Sequence, residues 1–480
     1  MEKNNKIIGR IEECRKLEAC LEKEQAQLIV VYGRRRVGKT YLINQFFNNK
    51  FAFKVTGIFG QSRENQISNF LSALEQKSCK KYEKCENWYA AFRYLREYIE
   101  SLPADEKKVM FIDEMPWMDN QKSDFLPSFE WFWNDYASTI DNLVFIVCGS
   151  ATAWMDEKIS KNKGGLFNRF TSRLYLEPFN LYEVEKYLES KDIYWSRYEI
   201  AECYMIMGGI PYYLNLLTNK MTFTQNIDSL FFEKHGTLWD EFDSLYGTLF
   251  SKSEKYIAVV TALGEKKSGM TRAEIIERTG LPTGGELSKV LNNLVLSSFV
   301  RVTGFYNQKK KDSIYQLSDY YTMFYLKFIK DNLSHDDKMW SHMIDLPSKK
   351  AWAGFTFEQV CRDHTAQIKN KLGISGVLTQ ESSWFCTDDD DKGISGAQID
   401  LLIDRRDRVV SICEIKYSIN EFIIDKSYDM KLRNKIGSFV KATNCKKSVQ
   451  MVMVTTYGIK KNMYSGSINA EVVLDDLFEK

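Results

Sequence analysis

The chain has 480 residues, with 66 Lys and Arg against 64 Asp and Glu, giving a net charge of +2. This length indicates about two to four domains, and the balanced charge excludes nucleic-acid binding driven by the overall field, so any such contact must come from a local patch. No apolar run is long enough to cross a membrane and no signal core begins the chain, so we expect a soluble, cytoplasmic protein. The ten cysteines form no C-x-x-C pair, which disfavours structural zinc and fits a reducing compartment.

The first part of the chain, 1–179, alternates apolar strand patterns with helical patterns such as 86–102. Four strands are predicted, at 27–33, 107–114, 142–150 and 173–179. Alternation of this kind indicates a parallel sheet with helices on both faces. Ligands of such sheets bind at the carboxyl ends of the strands.

A glycine-rich loop with the sequence GRRRVGKT lies between the first predicted strand and a helix. A phosphate chain needs many close donors, and backbone N–H groups supply them where Gly33 and Gly38 allow a tight wrap. Lys39 is placed to reach the outer phosphates, and the Thr40 hydroxyl can ligate Mg²⁺. We therefore predict an ATP and magnesium site. Its nucleotide-contacting residues are Gly33, Arg34, Arg35, Arg36, Val37, Gly38, Lys39, Thr40 and Tyr41.

Polar residues follow the next two predicted strands. Asp113 is predicted to hold the metal and Glu114 to act as the base that activates water. Alternatively, this acidic pair would only cap a helix. Ser150, at the tip of the neighbouring strand, is predicted to orient the attacking water, with a plain turn serine as the alternative.

An arginine is often needed where charge develops on the leaving phosphates, and a neighbouring subunit sometimes supplies it. Arg169 and Arg173 precede the last predicted strand, and we favour Arg169. The alternative is that both are solvated surface residues.

Six segments occur in an order that resembles a known family. They are IIGR, GRRRVGKT, FIDEMPWM, CGSATAWM, LFNR before RLYLEPF, and GGIPYYL. Over about residues 5–245 the chain resembles the archaeal-type ATPases of the wider AAA and STAND group. The resemblance implies that Gly9 and Arg10 lie near the nucleotide base and that Arg169 is an arginine finger. It also implies a homo-oligomer, since AAA relatives often form rings and STAND relatives assemble on activation. The family usually has glycine before the finger, where this chain has Asn168.

Helical patterns continue after the sheet. We interpret 180–245 as a helical lid and 246–335 as a winged helix-turn-helix, an arrangement that the family commonly carries. The segment 284–299 would be the recognition helix, with Lys289 exposed, and Lys309–Lys311 would form the wing tip. DNA is the predicted partner, and a protein–protein module is the alternative.

The remaining segment, 336–480, is predicted to be a separate α/β domain. Asp400 lies on one predicted strand, and Glu414 and Lys416 share a face of the next. Glu358, on a preceding helix, is a candidate fourth member of the site. The spacing resembles a PD-(D/E)XK nuclease core, which implies Mg²⁺ or Mn²⁺ on Asp400 and Glu414. The alternative is an amphipathic hairpin with ordinary surface charges. The run 388–391 is interpreted as a solvated acidic loop.

The predicted fold class is therefore α/β: a P-loop NTPase parallel sheet with a helical lid, a winged helix-turn-helix and a C-terminal restriction-endonuclease-like domain. The favoured hypothesis is an ATP-hydrolysing protein that binds DNA and cuts it in defence or mobile-DNA processing. One alternative is an ATP-driven switch or transcription regulator whose last domain is a docking module. A further alternative is a scaffold that binds nucleotide without turnover.

Overall fold

The computed structural model describes residues 7–120, 123–150, 152–160, 165–166, 168–250, 252–304, 306, 313–332, 336–389 and 394–480. The chain forms two compact units, residues 1–178 and 179–480. Each unit contains a five-stranded sheet.

The first unit is built on a parallel sheet, as the alternating pattern predicted. Its strands are β1 (Gln27–Gly33), β2 (Phe53–Thr56), β3 (Lys108–Asp113), β4 (Leu143–Gly149) and β5 (Ser172–Leu176). They lie in the order β2-β3-β4-β1-β5, and all neighbours pair in parallel. Every residue of β3 and β4 is buried, because helices cover both faces of the sheet.

Six α-helices accompany this sheet in the described part of the first unit. They are α1 (Ile11–Leu21), α2 (Lys39–Phe46), α3 (Arg63–Ser78), α4 (Trp88–Ser101), α5 (Phe125–Asp135) and α6 (Thr152–Met155). Ser62 and Asn87 begin α3 and α4 by accepting hydrogen bonds from backbone N–H groups of the first turn. A cluster of aromatic side chains on α4 and α5 packs against Phe145 of β4 and forms much of the core.

The second unit opens with helices and then forms a short hairpin. The helices are α7 (Leu181–Glu189), α8 (Arg197–Met207), α9 (Pro211–Asn215), α10 (Phe223–Phe231), α11 (Glu241–Leu249), α12 (Ser253–Glu265), α13 (Arg272–Thr279) and α14 (Gly285–Leu296). The hairpin pairs β6 (Val300–Thr303) with β7 (Ile314–Leu317). Three helices and a hairpin are the element order predicted for a winged helix, which stays a prediction. Lys289 is exposed, and Lys309–Lys311 lie outside the described residues.

The rest of the second unit is a mixed sheet with helices. After α15 (Tyr320–Phe324) and α16 (Met339–His342), it contains α17 (Pro347–Asp363), α18 (Thr365–Lys371), β8 (Thr379–Cys386), β9 (Ala397–Arg405), β10 (Val409–Lys416), α19 (Lys426–Thr443), β11 (Ser448–Thr455) and β12 (Ala470–Val473). The sheet order is β12-β11-β10-β9-β8. Strands β8, β9 and β10 are antiparallel, whereas β10, β11 and β12 are parallel. Of the run 388–391, Asp388 accepts a hydrogen bond from Gly396 N–H, and residues 390 and 391 lie outside the described part.

Among the helices of the described ranges, none combines the length and the apolar character needed to span a bilayer.

A buried histidine joins two helical segments of the second unit. His364 is 1% exposed, and its Nε2 accepts a hydrogen bond from the N–H of Leu181 at 2.9 Å. Its Nδ1 lies 2.8 Å from the carbonyl oxygen of Val360 and donates to it. Burial lowers the pKa of His364 below its ordinary 6.5. The ring is therefore neutral in the folded chain, and a proton on Nε2 would break its contact with α7.

This histidine gives stability a pH dependence. Because the folded-state pKa lies below the unfolded value, the unfolded chain binds more protons, and stability is lost as pH falls below about 6.5. We expect His364→Gln, which keeps an acceptor, to remove up to about 1.4 kcal/mol per pH unit of that loss. Urea unfolding at pH 7.5, 6.5 and 5.5 measures the effect. If the free energy of unfolding falls equally steeply with decreasing pH in the variant and the wild type, this expectation is contradicted.

Candidate nucleotide site and carboxylate cluster

The phosphate loop follows β1 directly and is shaped by its glycines. Gly33 has φ of +148°, and a Cβ added to it would lie 2.3 Å from the carbonyl oxygen of Leu176 on the paired strand. No other residue fits there. Gly38 has φ of 89°, in the left-handed region that glycine adopts at little cost. Arg36 also has a positive φ, of 72°, which stores strain in the loop.

Lys39 is enclosed by the loop that precedes it. The residue is 5% exposed, and its Nζ donates to the carbonyl oxygens of Gly33 at 3.0 Å and Arg34 at 2.8 Å. Burial lowers the pKa of Lys39, whereas the charges of Asp113 and Glu114 oppose that shift. The ammonium group is thus held inside the wrap, where a phosphate chain would be bound by backbone N–H groups.

Thr40 and Asp113 form the predicted metal pair. The Thr40 hydroxyl donates to Oδ2 of Asp113 at 2.8 Å, and Oδ1 accepts from the N–H of Glu114 at 3.1 Å. Asp113 ends β3 and is 4% exposed. A buried carboxylate beside a hydroxyl is the hard oxygen set that Mg²⁺ prefers. The residues therefore fit the ion that the phosphate loop implies.

Glu114 is positioned by its backbone and by Ser150. Its φ is 47°, and its carboxylate accepts from the N–H of Ser150 at 3.1 Å and from the Ser150 hydroxyl at 2.9 Å. This contact exists because β4 lies between β1 and β3 in the sheet. The end of β4 packs closely against Pro116, because a Cβ on Gly149 would lie only 2.6 Å from Cδ of that proline. Ser150 also accepts from Thr152 N–H in a turn, so its hydroxyl and its carbonyl have separate roles.

Arg10, which the resemblance places near the nucleotide base together with Gly9, lies against the phosphate loop. Arg10 is 6% exposed, and its Nη2 donates to the carbonyl oxygen of Val37 at 3.0 Å. Gly9 and Arg10 both have positive φ, of 66° and 55°. The contact places Arg10 beside the loop, whereas the exposed Tyr41 points away from the core on α2. Contact of Gly9 or Arg10 with the nucleotide base stays a prediction.

Arg169 is not brought together with the phosphate loop. Thr171 N–H bonds to the carbonyl of Leu28, and β5 then runs parallel to β1 until Leu176 pairs with Gly33. Arg169 therefore lies at the amino edge of the sheet, separated from Gly33 by a strand about 13 Å long. Its side chain is exposed. Asn168 has φ of 58°, a left-handed conformation that asparagine tolerates, so the turn that glycine would make is kept.

The carboxylate cluster of the second unit is partly assembled as predicted. The pairing of Cys413 with Leu401 sets a register that places Asp400 opposite Glu414. Lys416 Nζ lies 2.9 Å from Oε1 of Glu414, so these two side chains share a face. Burial, followed by the charge of Asp400, raises the pKa of Glu358 to about 8. The charges that act on Glu358 include those of Asp400 and Glu414, and its raised pKa favours the protonated form.

Three further residues of this cluster were missed in the sequence. Tyr428 and Lys435, both on α19, bond to Glu414, with the Tyr428 hydroxyl 2.5 Å from Oε1 and the Lys435 ammonium on Oε2. Arg362 donates to the carbonyl of Asp400 and to the Ser383 hydroxyl. Burial favours a raised pKa for Glu414, yet the charges of Lys435 and Lys416 hold its pKa below the ordinary value.

This arrangement bears on the predicted metal ligands. No three His, Cys, Asp or Glu residues in the described part of the chain are grouped closely enough to hold an ion. Both oxygens of Glu414 are engaged by donors, among them two ammonium groups. As arranged here, the cluster does not fit a divalent ion, and Lys435 must leave Glu414 before one can bind. Metal ligation by Asp400 and Glu414 stays a prediction.

The parallel sheet and the phosphate loop together define a P-loop NTPase-like fold. Residues 8–217 match a family described as an ATPase domain predominantly from Archaea. The chain belongs to this family through that domain, which confirms the resemblance for the ATPase portion and implies nucleotide binding.

Two relatives from one archaeon are similar to this chain. The chain is 25% identical over 418 residues to an uncharacterised protein of Methanocaldococcus jannaschii, an alignment covering 86% of this chain and 87% of the relative. It is 51% identical over 44 residues to an uncharacterised ATP-binding protein of the same organism, covering 9% of this chain and 75% of that relative.

Two solved structures are also similar. The Walker-type ATPase PABY2304 of Pyrococcus abyssi matches with a TM-score of 0.46 and 19% identity, covering 67% of this chain and 96% of that one. The ORC2 protein of Aeropyrum pernix, in ADPNP–ADP complexes, matches with a TM-score of 0.41 and 11% identity, covering 75% of this chain and 97% of that one.

Proposed function

We propose that the protein hydrolyses ATP and couples the hydrolysis cycle to binding of nucleic acid. The observation that carries the hydrolysis part is the contact of Glu114 with Ser150, one residue from the Thr40–Asp113 pair. The proposed base Glu114, the Ser150 hydroxyl and the predicted metal pair thus lie together at the carboxyl edge of the sheet, where the phosphate loop begins.

Each of these side chains has a distinct role in the proposed reaction. Lys39 lies among loop carbonyls and stabilises negative charge on the phosphates. Thr40 and Asp113 would hold Mg²⁺, which supplies neutralisation of the phosphate charge when bound. Glu114 accepts the proton of the attacking water. The hydrogen bonds from Ser150 orient this carboxylate, which has about four acceptor sites and can still accept from water.

The predicted arginine finger, Arg169, does not lie beside the phosphate loop of its own sheet. An arginine finger supplied to Ras by another protein raises hydrolysis by about 10⁵-fold, and Arg169 lies at the far edge of its own sheet. We therefore place Arg169 in the nucleotide site of a second copy of the chain. This requires a homo-oligomer in which the amino edge of one sheet faces the phosphate loop of the next.

Phosphodiester cleavage at the carboxylate cluster is a second proposed activity. The supporting observation is that Asp400 lies opposite Glu414 while Lys416 contacts the same carboxylate. Asp400 and Glu414 would hold a cation only after Lys435 has left Glu414, and such an ion would then supply Lewis-acid chemistry to a phosphodiester. Within the chain, Lys416 is the cation placed to stabilise charge on the attacked phosphate, and Lys435 blocks the site until it moves.

One experiment tests nucleic-acid coupling and cleavage together. Plasmid DNA is incubated with the full chain, ATP and either Mg²⁺ or Mn²⁺, while ATP turnover and nicking are followed in parallel. We expect DNA to raise ATP turnover and the plasmid to be nicked. Asp400→Asn should abolish nicking and leave ATP turnover unchanged, and Asp388→Asn on the neighbouring loop is the matched control.

The outcomes separate the proposals. Nicking that survives in Asp400→Asn would place cleavage elsewhere. DNA-stimulated ATP turnover without nicking under either metal would favour the switch whose last domain is a docking module. If DNA does not bind and does not change the rate of ATP turnover, the proposed coupling of hydrolysis to nucleic-acid binding is contradicted.

A further inference from the structure

An open groove runs along the solvent face of α19. Its volume is about 490 Å³, and it is lined by Met430, Arg433, Asn434, Gly437, Ser438 and Lys441. These residues, here called the α19 groove, recur every three or four positions and so form one face of the helix. Met430 is 62% exposed.

The other face of α19 is anchored to the mixed sheet. Leu432 and Phe439 are buried in its core, and Tyr428 and Lys435 bond to Glu414. A step of two residues along a helix rotates the direction of the side chain by about 200°. Arg433, Gly437 and Lys441, each offset by two positions from this inner face, are therefore directed away from the sheet. They lie about one helix diameter, roughly 10 Å, from the Glu414 side. Ser438 lies at the buried margin of the groove, where its hydroxyl donates to the carbonyl of Ser395.

The charge of the helix suits a polyanion. Over residues Lys426–Thr443, α19 contains one acid, Asp429, and five cations, of which Lys435 is bonded to Glu414 and the other four are exposed. Asp429 pairs with Arg433 at 2.8 Å and also accepts from the Ser467 hydroxyl. The chain as a whole has a net charge of only +2. A local basic surface of this kind is the electrostatic footprint of nucleic-acid binding in a protein of balanced overall charge.

The fold does not explain the glycine in the centre of the groove. Gly437 is a helical residue without positive φ, and an added Cβ would meet no atom within 4 Å. A glycine in a helix interior costs about 0.5–1 kcal/mol relative to alanine. Absence of a side chain between Arg433 and Lys441 leaves room for the close approach of a ligand backbone.

We propose that the α19 groove binds the phosphodiester backbone of duplex DNA, with Arg433, Asn434 and Lys441 as donors and Gly437 as the point of closest approach. This inference rests on the proposed nucleic-acid function and names the surface that performs it. Phosphate contacts position a duplex without reading its sequence. The groove would thus hold the backbone on the outer side of the helix whose inner side contacts Glu414.

Salt dependence of binding provides the first test. The full chain, the double variant Arg433→Gln/Lys441→Gln and the control Lys23→Gln/Lys80→Gln are titrated with fluorescent duplex DNA at several salt concentrations. Each lost phosphate contact lowers the slope of log K against log salt by about 0.9, so the groove variant should lose about 1.8. The control, which removes two exposed cations of the first unit, should retain the wild-type slope.

A pair of glycine variants provides the second test. Gly437→Ala is compared with Gly247→Ala, because Gly247 is also helical and has no atom within 4 Å of an added Cβ. Both should raise thermal stability slightly, as expected for alanine in a helix. Gly437→Ala alone should weaken DNA binding. A stabilised variant with weakened binding cannot be attributed to unfolding.

The failure of this inference is distinguishable from that of the proposed function. If the wild type binds duplex DNA and every α19 variant binds with the same affinity and salt slope, the groove is not the binding surface and the proposed function stands. If the wild type binds no duplex DNA, both are overturned.

Discussion

Glu114→Gln is expected to bind ATP as the wild type does and to hydrolyse it at least about 100-fold more slowly, the lower bound for loss of a general base. Glutamine keeps the shape of the side chain and can still accept a hydrogen bond from Ser150, but it cannot take a proton from water. Binding is measured by titration calorimetry, and chemistry by single-turnover hydrolysis under the same conditions.

The control for this variant is Glu86→Gln, an exposed glutamate before α4. It should leave both binding and hydrolysis unchanged. Wild-type hydrolysis by Glu114→Gln would show that the base lies elsewhere, and the contact with Ser150 would then be structural.

Arg169→Ala is expected to retain ATP binding and to lose about 10³-fold or more in hydrolysis, since arginine fingers contribute on that scale. Because Arg169 lies at the amino edge of its own sheet, a subunit with an intact Arg169 should restore hydrolysis at the nucleotide site of a neighbouring variant subunit. An equimolar mixture of Arg169→Ala and Lys39→Ala should recover part of the activity. In that mixture, an intact phosphate loop can meet an intact finger.

Arg173→Ala is the matched control, because Arg173 is also exposed and lies four residues further on, near the ring of Phe170. It should hydrolyse ATP at the wild-type rate. A mixture without recovered activity would contradict action in a second subunit. Loss of activity in Arg173→Ala instead of Arg169→Ala would reassign the finger.

The nucleotide site could largely be predicted from the sequence because its parts are local. The phosphate loop is eight consecutive residues, and β3 and β4 each contain an apolar run, 109–112 and 143–148, that polar side chains follow. Such runs are typical of strands buried on both faces. In contrast, β2 is only four residues long with two of them exposed or half-buried, too short a pattern to identify, and it was missed.

Contacts set by strand order could not be predicted in the same way. Ser150 reaches Glu114 only because β4 lies between β1 and β3, and no local pattern encodes that order. The same sheet places Arg169 away from the loop, which the sequence left open. Asn168 shows the reverse case, since its left-handed backbone explains why it can replace the glycine that the resemblance implies.

The partners of Glu414 were missed for a different reason. Tyr428 and Lys435 lie 14 and 21 residues beyond it, on a separate helix. A signal was present, because both recur at helical spacing with the apolar Leu432 and Phe439 and so share the inner face of α19. Polar residues on a buried helix face require partners, and that requirement could have linked them to the carboxylate cluster.

The most direct measurement is calorimetric titration of Mg·ATP into the wild type and Lys39→Ala, with circular dichroism to confirm that both are folded. Loss of a charged hydrogen-bonding partner costs about 1.5–3 kcal/mol, so the account predicts that Lys39→Ala binds about 10- to 100-fold more weakly. Equal affinity of the two proteins for Mg·ATP would contradict it.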